Sequence, residues 1–75
     1  MNFYVTFGQK YRHVKHPSGR SVHPDGYWKI EASDEEKARD YADAIFGEGM
    51  WAWIYPLHKF QFAFYPLGEI GSLTK

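Results

Sequence analysis

Three histidines, His13, His16 and His23, stand close enough in the chain to raise the question of a metal site. Imidazole is a good zinc ligand, and the His13-x-x-His16 spacing can bring two rings onto one turn. A structural zinc needs a fourth ligand, which only Asp25 or His58 could supply. There is no cysteine, and the gaps match no standard zinc motif. The expectation is therefore no metal and no cofactor, with histidines that end turns and hydrogen-bond their loop to itself. If they cluster, contacts made through the loop would vary with pH near neutrality.

The same loop carries Lys10, Tyr11, Arg12, His13, Lys15, His16 and Arg20. Cations interleaved with Tyr and His can grip phosphates and stack on a base. They can equally be a solvated surface that keeps a small domain soluble, or an anchor for an acidic partner. A neutral chain is unlike most nucleic-acid binders.

Carboxylates gather further on: Asp34, Glu35, Asp40 and Asp43, with Glu31 and Glu48 nearby. Such a row can imitate a phosphate backbone, but Lys37 and Arg39 dilute it, and a solvated helix face is the commoner meaning. Acid–base work needs a dry cleft, which an exposed helix does not offer. Ser18, Ser21, Ser33 and Ser72 have no activating context, and no Gly-rich phosphate loop is present. The chain is not expected to be an enzyme.

A last group is aromatic: Trp51, Trp53, Tyr55, Phe60, Phe62, Phe64 and Tyr65. On a strand, Trp51, Trp53 and Tyr55 share one face while Ala52 and Ile54 share the other. One set packs under a helix. The other packs under residues 60–65 or forms an interface in which Trp53 and Tyr55 act as anchors.

These residues must be held by a small set of elements. Residues 2–7 alternate, with Phe3, Val5 and Phe7 on one face, and Gly8 ends the strand. Two His-Pro pairs and the turn signals Ser18-Gly19 and Asp25-Gly26 make residues 9–26 a long basic loop. Residues 27–32 alternate again, with Trp28 and Ile30 facing inward. Ser33 stands three residues before Glu36, a capping box, and Ala38, Tyr41, Ala42, Ile45 and Phe46 fall on one face of a helix over 34–46. Gly47 stops it. Residues 51–55 read as a third strand, closed by Pro56. The pattern of residues 60–65 favours a fourth strand in a hairpin with the third, the alternative being a short irregular or helical segment that caps the core. Residues 67–75 look like a tail that Ile70 and Leu73 could pin.

The pattern is α+β: one amphipathic helix on one face of a small antiparallel or mixed sheet of three or four strands, in the order β-β-α-β-(β). A return through the helix could lay the third strand beside the first, in sheet order 2-1-3. The 75 residues are enough for a single domain over 1–75. A chain this short buries only roughly 60–65% of its unfolded surface. Six Phe, six Tyr and three Trp are more rings than such a core needs, so some should stay exposed and favour association. Lacking cysteine, a signal-peptide pattern and any long apolar run, the chain is expected to be cytoplasmic, with no membrane contact. Charge is uneven. Lys10, Arg12, Lys15, Arg20 and Lys29 against Asp25 give residues 1–29 a net +4, whereas residues 31–48 carry −5. Such asymmetry bears on partner choice more than on fold.

Several segments together resemble small proteins encoded by bacteriophages and prophages, often of actinobacteria. They are Phe3-Tyr4-Val5-Thr6-Phe7-Gly8-Gln9-Lys10-Tyr11-Arg12-His13, His23-Pro24-Asp25-Gly26-Tyr27-Trp28, Ala38-Arg39, Phe46-Gly47, Trp51-Ala52-Trp53-Ile54-Tyr55 and Tyr65-Pro66-Leu67-Gly68-Glu69. The resemblance covers nearly the whole chain and carries no catalytic residues. In those proteins the stretch after the third strand is polar; here it is rich in Phe. The resemblance implies an accessory protein, and many of these inhibit a host factor, CRISPR–Cas systems included.

The expected function is therefore binding: a host protein or protein complex modulated or inhibited through Lys10, Tyr11, Arg12, His13, Lys15, His16, Arg20, Trp53 and Tyr55. The alternative is a small binder of single-stranded nucleic acid that uses the basic loop and sheet aromatics. The protein is expected to be a monomer or a homodimer.

Overall fold

The computed structural model describes residues 1–8, 16 and 18–73. Strand β1 (Asn2–Thr6) is followed by β2 (Gly26–Glu31), helix α1 (Glu35–Phe46) and β3 (Trp53–Pro56). Two single 3-10 turns, Leu57–Lys59 and Phe62–Phe64, then lead to β4 (Gly68–Leu73). The sheet runs β3-β1-β2-β4. β1 is antiparallel to both β2 and β3, while β4 lies parallel to β2. The expected 2-1-3 order is thus present, with one more strand added beside β2.

Alternation separates the two faces of the sheet. Phe3, Val5, Ile30 and Ile54 point to one side, where they are almost completely buried against Ala38, Ala42 and Phe46 of α1. The small side chains at 38 and 42 let the helix approach closely. Phe46 then fills the end of the layer, edge-on to Phe7 at 5.0 Å and to Trp28 at 5.4 Å. Tyr41 and Ile45, expected on the same stripe, are half-buried at its margin.

The helix begins one residue later than the capping box implied. Asp34, not Ser33, is the N-cap: its Oδ1 accepts from the Lys37 backbone N–H at 2.8 Å. Glu35 and Glu36 still load the first turn with negative charge, and Gly47, at φ 98°, lets the chain leave the helix.

Residues 67–75, read from the sequence as a tail, hold β4. This strand shows no clean alternation, and its glycines explain why. Gly71 leaves room for the Trp28 indole, whose ring atoms would lie 2.6–2.8 Å from any Cβ there. On the neighbouring strand Gly26 does the same for Ile70. The pairing steps by one residue between Tyr27 and Trp28, leaving Ile70 as a bulge.

Candidate aromatic docking surface

The second face of the sheet carries a second, wholly aromatic cluster. Tyr4 and Tyr55 are paired across β1 and β3, and Tyr27 meets Tyr4 edge-on at 5.3 Å. Left open, this face would set three phenol rings in water. Residues 57–65 cover it instead of forming a hairpin strand, so the irregular alternative for residues 60–65 is the one adopted.

Phe60 is the centre of that cover and is 7% exposed. Its ring stacks on Tyr4 at 4.8 Å and on Tyr65 at 5.0 Å, with Tyr27, Tyr55 and Phe62 around its edge at 4.7–5.8 Å. The turns at 57–59 and 62–64 break the two-residue period, so Phe60, Phe62 and Phe64 do not share a fate. Phe60 is buried, Phe62 lies at the rim, and Phe64 is 69% exposed.

Burial acts on the phenols. In Tyr27 it raises the pKa above the ordinary value, helped first by the Glu69 carboxylate and then by Tyr4. In Tyr65 burial also raises it, a hydrogen bond with Thr6 opposes the shift, and Tyr55 adds to it.

Around this cluster lies the apolar surface. Trp53, Leu57, Phe62, Phe64 and Leu67 are all large and exposed, and all fall within residues 53–67. Trp53 is 53% exposed. Its ring is held at one side by Arg39, whose guanidinium is 5.7 Å from the centroids of both Trp51 and Trp53. Glu35 fixes that guanidinium, accepting from Nε at 3.3 Å and from Nη2 at 3.2 Å. Trp51 turns toward α1 and donates from Nε1 to Asp43 Oδ1 at 2.8 Å. Thus Trp51 anchors the helix to β3, while Trp53 and Tyr55, both expected at an interface, stand on the aromatic side.

The histidine loop is different. Lys10, Tyr11, Arg12, His13 and Lys15 lie outside the described residues. His16, expected to meet a partner, is only 2% exposed and packs edge-on to Phe7 and Phe46. Its Nε2 donates to the Met50 carbonyl at 2.7 Å, and Nδ1 accepts from the Ser18 backbone N–H at 3.1 Å. It is a tether between loop and core, and its place among the partner-binding residues is corrected accordingly. His23 accepts from the Asp25 N–H, a local turn bond. Among the described residues, no group of three His, Asp or Glu side chains could hold a metal ion. Arg20 is exposed, with its guanidinium 5.8 Å from the Trp28 ring.

The acidic helix face is partly committed to structure: Asp34 caps, Glu35 holds Arg39, and Asp43 holds Trp51. Two residues beside the aromatics were not singled out from the sequence. Lys59 and Gln61 line a cleft with Tyr55, Phe64 and Tyr65. Their signal was available: a cation and a carboxamide interleaved with rings in Lys59-Phe60-Gln61-Phe62.

No helix among the described residues is long and apolar enough to cross a membrane. Comparison with protein-family models, curated proteins and solved structures found no match.

Proposed function

We propose that this protein is a docking module, a phage-type accessory protein that binds a host protein or protein complex and modulates or inhibits it, with defence machinery such as CRISPR–Cas among the candidate targets. One observation carries the docking part of this reading: five large apolar side chains, Trp53, Leu57, Phe62, Phe64 and Leu67, are exposed within residues 53–67, next to the closely packed Phe60 cluster that Phe62 joins. Rigid aromatic anchors with few charges between them suit a protein partner. The host and target rest on the resemblance to phage proteins. The reading is non-catalytic, and it places the action in the host cytoplasm.

Single-stranded nucleic acid is the competing partner. It would stack on an open aromatic sheet face. Here Phe60 already lies on Tyr4 and beside Tyr27, which favours a protein.

The test compares tagged wild type with a Phe62→Ser/Phe64→Ser variant in pulldowns from actinobacterial lysate, alongside a gel shift with oligo(dT) at low salt. The expected result is a specific host protein captured by the wild type and lost by the folded variant. Equal capture by both overturns the surface assignment. A salt-sensitive shift of the oligonucleotide transfers the function to nucleic acid.

A further inference from the structure

Among the concave features of the docking surface, one has a lining that indicates what it accepts. Tyr55, Phe64 and Tyr65 wall a cleft of about 110 Å³, and Lys59 and Gln61 complete its rim. At ~30 Å³ per water, this is space for roughly three or four solvent molecules, or for one substituted six-membered ring. Faces and edges of aromatic walls favour another ring, offset or edge-on.

The polar rim adds a second requirement. Lys59 forms no ion pair and Gln61 forms no side-chain hydrogen bond with the described residues. No lining residue is acidic, and the chain has no carboxylate side chain between Glu48 and Glu69. In the adjoining groove that Lys59 also lines, Glu35 is already bonded to Arg39 at 3.2 Å. An ammonium in this setting is matched by an anion brought from outside. The carboxamide of Gln61 can both donate and accept, which suits the backbone of an extended peptide.

Resting on the docking reading above, we propose that this cleft seats an aromatic side chain of the partner protein that is flanked by Asp or Glu. The ring enters among Tyr55, Phe64 and Tyr65, the carboxylate meets Lys59, and Gln61 bonds the partner's main chain.

The experiment is a set of amide NMR titrations of the full chain with three probes: Ac-Asp-Phe-NH2, Ac-Lys-Phe-NH2 and uridine monophosphate. Small probes of this kind bind with a Kd of about 1–10 mM. The expected result is saturable shifts confined to residues 55–65 with Ac-Asp-Phe-NH2. Binding of Ac-Lys-Phe-NH2 is expected to be weaker by about three-fold or more, the scale of an exposed charge pair. Lys59→Ala should remove that discrimination, and Phe64→Ala should abolish both sets of shifts while the spectrum stays dispersed. Equal binding of the two dipeptides, or shifts elsewhere or nowhere, overturns the proposal. Stronger shifts with uridine monophosphate assign the cleft to a nucleotide and overturn it too. If the dipeptides fail while Phe62→Ser/Phe64→Ser still loses the lysate partner, only the occupant of the cleft is wrong and the docking surface stands.

Discussion

The Trp28 indole rests against Gly71: a Cβ on that glycine would stand 2.6 Å from Cη2 of the ring. The indole cannot easily retreat. Its Nε1 donates to the Ser21 carbonyl at 2.9 Å, and Phe46 packs against it. Gly71→Ala should therefore cost about 1–3 kcal/mol. Urea denaturation checks this, and a Trp28→Leu background should shrink the loss, because the two substitutions share one contact. Full additivity would mean that the indole is not the obstacle.

His16 should behave as a structural residue. Its Nε2 faces a carbonyl and its Nδ1 faces an N–H, so these hydrogen bonds place a proton on Nε2 and leave Nδ1 as the acceptor. Long-range nitrogen–proton NMR of the ring reads this directly. His16→Ala should destabilise the protein by about 2–4 kcal/mol through lost hydrogen bonds and packing. A change below ~0.5 kcal/mol would return His16 to the surface residues.

Phe60 and Phe64 are four residues apart and should give opposite results. Phe60→Ala opens the centre of the aromatic cover and should cost about 3–5 kcal/mol. Phe64→Ser should alter stability by no more than about 0.5 kcal/mol while weakening partner binding. Thermal unfolding separates the two, and a large loss at Phe64 would make it a core residue.

Alkaline pH should loosen the aromatic cover. The folded pKa values of Tyr27 and Tyr65 lie above the ordinary 10.0, so the folded state holds these protons more tightly than the unfolded chain. The stabilisation is complete below the unfolded value and is lost as pH rises through the folded one. A site-resolved phenol titration of the native protein should show Tyr27 and Tyr65 ionising late, and Glu69→Gln should lower the Tyr27 value. Ionisation of Tyr27 and Tyr65 at the unfolded value would contradict this.

The elements that were legible from sequence are those with a strong period. Phe3, Val5 and Phe7 announce β1, Trp28 and Ile30 announce β2, and Ala38, Ala42 and Phe46 announce the helix. β4 was not legible, because Gly71 and Ile70 answer to residues on β2 rather than to a periodicity of their own. The N-cap moved from Ser33 to Asp34 because either side chain can accept from an N–H three residues on, and backbone geometry decides between them. Residues 60–65 were ambiguous because Phe at every second position reads as a strand; the unshielded tyrosines of the sheet made a lid more favourable. At the candidate site, Trp53 and Tyr55 stood out by residue type. The cleft did not, since it depends on Lys59 and Gln61 following Tyr55 around a turn.

The parallel join between β2 and β4 also has a meaning for biosynthesis. Trp28 is synthesised 43 residues ahead of Gly71, and its indole stays without its glycine floor until β4 has been made and has left the ribosome. Until then, a sticky ring and a bare strand edge are available to chaperones or to neighbouring nascent chains. Completion of the sheet thus waits for β4, which pairs with a strand made some forty residues earlier.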